Sequence, residues 1–403
     1  MNAPNSERFL RMPSYWALLT GMFGLLTYAQ LAALASVPGY ALQEWLISFP
    51  GHFVRRGVRG TVVIWASHAI GVGPYQIASV LGFALYGVMI VVAVTLIFRW
   101  LLVRAPTFIP MLLLSPAGFF FYVNSPGAAN RLDPLFILVT AAHVELYARS
   151  KDARSYLRWA GILFASAGTL AMLGSEVFLF IGLPINLILA VRRLSRFDPR
   201  LLLVFAGPLL AAALCFIYHG TPNDAVAISR ISSLGLQPYG PLWFLSRPPS
   251  FAPGFVLDTM RAKGGVVLTT AAIVFLAAHL GIMRTLLKHA EPTALSEPPR
   301  TPIHVWRDLF VLPFVCSLPL YFVAIDFTRW AVLAVTMFTL SACRLNTLSK
   351  PVKPWPPVSR VLAAVIFASL TLPECLIYPG SLLYSSNVAS VAKLLLHRGY
   401  ARR

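Results

Sequence analysis

The sequence predicts an all-α fold, a polytopic transmembrane helical bundle, and three observations carry that expectation. Of 403 residues, 58% are hydrophobic and only 12% charged, whereas a soluble domain carries about 25% charged residues. Apolar runs recur near the length that crosses about 30 Å of hydrocarbon, where only helices and closed barrels satisfy the backbone. Lys and Arg collect in short segments between those runs, the pattern of cytoplasmic loops. The formal net charge of +19 is therefore read as topogenic. No basic domain stands apart and no aromatic–basic RNA or DNA motif appears, so no nucleic-acid partner is expected. Residues 1–403 read as a single integral membrane domain of about 11–12 spans, with no fixed-period repeat.

Residues 1–14 carry Arg8 and Arg11 and are expected in the cytoplasm, and the first span, about 15–36, serves as an uncleaved signal anchor. Ser36 to Gly60 fall on the outer side, and 61–72 is an apolar run too short to cross, ended by Gly71, Gly73 and Pro74, so that 37–74 reads as a re-entrant or interfacial segment. Spans two to four fall at about 77–98, 107–123 and 134–148, with Arg99 and Arg104 marking a cytoplasmic turn. A tight hairpin at about 157–173 and 177–191 places Gly174-Ser175-Glu176 at its outer tip. Span seven, about 201–218, opens the longest outer loop, 219–264, whose Tyr239, Trp243 and Phe244 suit an interfacial aromatic belt.

Spans eight to eleven follow at about 265–284, 304–325, 331–344 and 361–378, and a weak twelfth segment at 381–396 leaves the side of the C-terminus open. Pro110, Pro116, Pro184, Pro208, Pro313 and Pro319 lie inside these runs, as prolines in membrane helices do. Cys215, Cys316, Cys343 and Cys375 also lie inside apolar runs and show no CxxC spacing, so neither a disulfide framework nor a metal site is suggested. No cofactor is indicated.

The informative residues are the charges on the predicted outer side, because charge at membrane depth is costly. The stretch from Glu44 to Gly60 contains His52, Arg55, Arg56 and Arg59, punctuated by Gly51, Gly57 and Gly60. Guanidinium groups suit bidentate contacts to phosphate, and glycine permits close backbone approach. Such a loop fits an anionic, lipid-linked substrate, or it holds lipid headgroups as a juxtamembrane basic patch. Arg131 and Asp133 open the fourth span, where Asp133 is either a helix N-cap or a base, with Arg131 on a substrate phosphate. Glu176 stands in an otherwise apolar stretch without an obvious local partner. Asp326 and Arg329 are three apart, the spacing of a local ion pair, beside Trp330, which could stack a sugar ring. His143 and Glu145 could form a buried polar pair, and Glu374 is ambiguous beside Pro373. Charge at the ends of several spans at one depth implies a common outer vestibule.

Together, Phe53-Val54-Arg55-Arg56-Gly57-Val58-Arg59-Gly60, the Asn130-Arg131 approach to Asp133, Ser175-Glu176 and Asp326-Phe327-Thr328-Arg329-Trp330 resemble bacterial inner-membrane proteins of surface-polysaccharide synthesis. Their layout is similar to GT-C-type glycosyltransferases and EpsG-like polysaccharide polymerases. The chain departs from the GT-C pattern in offering only Glu44 in its first outer loop, with no acidic pair. The resemblance implies a multi-pass protein of the bacterial inner membrane that acts at the periplasmic face on a polyprenyl-phosphate-linked saccharide. His52, Arg55, Arg56, Arg59, Arg131 and Arg329 would hold phosphate, and one of Glu44, Asp133, Glu176 and Asp326 would deprotonate the acceptor. The same charges serve two other classes: a transporter or flippase of an anionic solute or lipid-linked saccharide, and a membrane scaffold in which the charges merely pair.

Overall fold

The computed structural model describes residues 8–35, 42, 44–49, 53, 56–125, 131–195, 197–218, 222–233, 254, 257–258, 265–292, 305–323, 327–352, 387–388, 390–391 and 394. The fold is all-α, and three of its described helices are long and apolar enough to cross a membrane: Pro13–Ala35 (α1), Pro74–Leu101 (α3) and Ala153–Gly174 (α7). The helix α1 packs antiparallel on α3. Tyr15 Oη meets Thr95 Oγ1 at 3.1 Å near one end, and Ser79 Oγ donates to Gln30 Oε1 at 2.9 Å near the other. Those two contacts give the hydroxyls and the Gln30 amide oxygen partners between apolar faces.

The expected segment at 61–72 is a 14-residue helix, Gly57–Ile70 (α2), beginning four residues earlier than the apolar run suggested. At 1.5 Å per residue it is about 21 Å long, short of a crossing. Gly71, with φ 72°, ends it in the left-handed conformation that glycine adopts without steric cost. The predicted third span, 107–123, is not continuous. It is broken into Phe108–Leu113 (α4) and Phe120–Asn124 (α5) around Ser115 and Pro116, since proline has no N–H to continue the ladder.

The predicted seventh span is likewise divided into Arg200–Val204 (α9) and Ala206–Ile217 (α10), with Pro208 unable to bond back across the junction. The predicted ninth is a π turn at Arg307–Val311 followed by Leu312–Ser317 (α13) and Leu320–Val323 (α14). The expected hairpin forms as α7 and Leu183–Leu194 (α8), and both arms carry a π turn, at Phe164–Gly168 and Phe178–Gly182. Within the long predicted loop, Pro222–Ser233 (α11) is helical. Most of 234–264, the eleventh span, and all but five residues of the twelfth segment lie outside the described residues.

Asp133–Arg149 (α6) and Phe327–Leu345 (α15) run parallel. Asp133 pairs with Arg329 where both begin, and Glu145 pairs with Arg344 where both end. The separation of twelve positions between Asp133 and Glu145 puts these charge clamps about 18 Å apart. His143 and Glu145 therefore do not form the pair their proximity in sequence suggested. His143 faces inward to Asn186 at 2.8 Å and Tyr156 at 2.6 Å, while Glu145 takes Arg344 and Arg149. A second buried histidine, His279 on Gly265–Leu287 (α12), joins Ser115 at 2.7 Å to Thr339 at 3.0 Å and braces the break between α4 and α5. A small antiparallel pair, Ala290–Pro292 with Asn346–Leu348, clips the ends of α12 and α15, a feature without sequence signal. The described cysteines are free thiols.

Candidate functional site

The site is assembled where the Glu44 segment folds back across the start of α2. Leu46 and Ile47 are fully buried, and the Phe49 N–H donates to Thr61 Oγ1 at 2.9 Å. A Cβ on Gly60 would lie 2.0 Å from the Ile47 carbonyl oxygen, and one on Gly57 would lie 2.5 Å from the Phe49 ring. Gly57 and Gly60 thus serve close approach of chain to chain. This packing turns Glu44, Arg56 and Arg59 inward together. Arg56 adopts φ 62°, the left-handed region that costs a non-glycine residue roughly 1–2 kcal/mol.

Glu44 is the hub. One carboxylate oxygen accepts from Arg131 Nη1 at 2.9 Å and from Arg56 Nη1 at 3.5 Å, and the other accepts from Arg59 Nη2 at 3.1 Å. Burial alone would push the Glu44 carboxyl up, but the guanidiniums of Arg131, Arg59 and Arg56 outweigh it and hold the group well below the usual carboxylate range. Arg56 extends the network outward, its Nε donating to Glu176 Oε2 at 2.7 Å. Arg56 and Glu176 form the accessible edge, with side chains 24% and 15% exposed. Arg59 and Arg131 are nearly closed off, and Arg59 also lies over the Trp45 ring, 5.9 Å from its centroid.

Beside the hub, Asp133 is fully buried and accepts two bonds from Arg329, at 2.6 Å and 2.8 Å. The residue preceding α6, Leu132, supplies no side-chain cap, and the Asp133 carboxylate is turned to a guanidinium 196 residues away. Tyr86 and Tyr122, which sequence reasoning missed, line the same region. The backbone N–H of Arg131 donates to Tyr86 Oη at 3.1 Å, and both phenols stand in the field of Asp133 and Arg329. A tyrosine inside an apolar run carries no pattern that separates it from core.

The structure therefore gathers Glu44, Arg56, Arg59, Arg131 and Glu176 into one ion-pair network, with Asp133 and Arg329 adjoining it. Among the described residues this is four guanidiniums against three carboxylates. His52, Arg55 and Asp326 lie outside the described residues. No group of three or more metal-ligating side chains occurs among the described residues. Guanidinium groups as a class suit oxyanions, and Arg56, paired with Glu176, is the one at the accessible edge of the cluster. Comparison with protein-family models, curated proteins and solved structures finds no match for this chain.

Proposed function

We propose that this is a multi-pass inner-membrane glycosyltransferase or polysaccharide polymerase that acts on a lipid-phosphate-linked sugar at the periplasmic face. The observation that carries the reading is the convergence of Arg56, Arg59 and Arg131 on the single carboxylate of Glu44, an arrangement with more positive than negative charge and one accessible edge. In this reading the arginines take the donor's phosphate, and Arg56 leaves Glu176 to do so. Glu176, the most exposed of the three carboxylates, then accepts the proton of the acceptor hydroxyl. The acceptor oxygen bonds to the anomeric carbon, the bond from that carbon to the phosphate oxygen breaks, and the polyprenyl phosphate departs with its charge held by the guanidiniums. Among the described residues, Glu44 is held by three arginines and Asp133 by one, and both serve as fixed counter-charges.

The test is sugar transfer from a polyprenyl-phosphate hexose by the purified protein in vesicles. Glu176→Gln is expected to lower the rate about 10²–10⁴-fold while leaving donor binding in place. An unchanged rate in that variant overturns the assignment of the base, and absence of transfer by the wild type with donor bound overturns the enzyme. The second reading, a flippase of the same lipid, is favoured by one observation, the helix broken at Ser115–Pro116. It predicts movement of the intact lipid-linked sugar across the vesicle with no bond broken.

A further inference from the structure

Two buried groups in this region make no hydrogen bond among the described residues: the phenol oxygen of Tyr122, and Nε and Nη1 of Arg59. Both side chains are more than nine-tenths buried. Buried polar atoms in folded proteins nearly always find partners, so groups left over beside a candidate site point to what the site takes up. The two groups ask for different complements. The Arg59 N–H groups only donate and carry charge, so they suit an anionic oxygen. The Tyr122 phenol is neutral and both donates and accepts, so it suits a neutral hydroxyl.

Their surroundings are continuous. Arg59 and Arg131 share Glu44, the Arg131 backbone is bonded to Tyr86, and the charges of Asp133 and Arg329 are felt at both Tyr86 and Tyr122. The short helix carrying Tyr122 is also pinned by the chain's C-terminal part. Asn387 Nδ2 donates to the Val123 carbonyl at 2.8 Å, and the Val388 N–H donates to Asn124 Oδ1 at 3.1 Å.

We propose that Tyr122 determines specificity by hydrogen-bonding a hydroxyl of the ligand whose phosphate the arginines hold, so that the site takes a phosphorylated polyol in preference to a bare phosphate. This rests on the reading of the arginine cluster as a phosphate site and adds the group next to the phosphate. A lipid-linked glycosyl phosphate and the headgroup of phosphatidylglycerol both offer that chemistry.

The experiment titrates the full-length protein, in phosphatidylcholine nanodiscs, with polyprenyl phosphate, polyprenyl-phosphate hexose and phosphatidylglycerol, for wild type and Tyr122→Phe. The substitution removes one oxygen that bonds nothing among the described residues, so the melting temperature should stay level or rise. Tyr122→Phe is expected to bind the hexose lipid about tenfold more weakly and polyprenyl phosphate equally well. Weakening confined to phosphatidylglycerol keeps the hydroxyl subsite and overturns the saccharide as its occupant. Equal affinities of wild type and variant for all three probes overturn the role of Tyr122 and leave the phosphate site standing. Failure of the wild type to bind polyprenyl phosphate overturns the reading beneath both.

Discussion

Glu44 is the residue on which the cluster depends, because among the described residues it is the one carboxylate that pairs with all of Arg56, Arg59 and Arg131. Removing one partner of a buried ion pair strands the other, at a cost of about 3–5 kcal/mol. Glu44→Gln should therefore lower the thermal unfolding temperature in detergent by more than Glu176→Gln, whose site is the accessible edge. The pH dependence has a defined sign. Glu44 has a depressed value in the folded protein, so on acidification the unfolded chain takes up the proton first, around the ordinary 4.5. Its contribution is complete above about pH 5 and is lost progressively as pH falls from there toward the folded value. Melting curves between pH 3 and 7 should show a steeper acid decline in wild type than in Glu44→Gln, and parallel curves would contradict the network. The charges themselves were legible in the sequence, since Glu44, Arg56, Arg59, Arg131 and Glu176 interrupt apolar surroundings. Their partners were not. Asp133 and Arg329 are separated by 196 residues, and no local spacing rule reaches that far.

At the scale of elements, the packing of α2 against residues 46–49 decides whether the arginines face inward. Gly60→Ala would place a methyl 2.0 Å from the Ile47 carbonyl oxygen, a backbone atom that cannot swing aside as a side chain can. The variant should be destabilised by roughly 1–3 kcal/mol or more, the range for overpacking in a dense interior. Gly21→Ala, with nothing within 4 Å, is the matched control in the same measurement of melting temperature. Equal melting temperatures would mean that the loop does not rest on the helix. The sequence showed that a short segment follows the first span, because 61–72 is apolar and bounded by glycine and proline. It did not show that the helix begins at Gly57, since Gly57 and Gly60 are poor helix formers and Arg59 interrupts the apolar run. The breaks at Ser115–Pro116 and Phe205 followed the same logic in reverse, for hydropathy runs through them while proline interrupts the hydrogen-bond ladder.

At the scale of the molecule, charge is layered. The network around Glu44 and the Asp133–Arg329 pair lies at one end of α6 and α15, and Glu145 with Arg344 lies at the other. Apolar core and two satisfied histidine networks fill the space between them. This layering agrees with the all-α membrane class predicted from composition, because helices that bury few charges along their length keep them at their ends. The proposed function assigns a lipid phosphate to the layer around Glu44. The most direct measurement is the affinity of the full-length protein in phosphatidylcholine nanodiscs for polyprenyl phosphate, compared with that of Arg56→Gln. Arg56 stands at the accessible edge, so its loss should leave the fold intact. Binding by the wild type and about tenfold weaker binding by the variant are expected, as for one lost charge-assisted contact. Equal affinity in the two proteins, or no binding by either, would contradict that assignment.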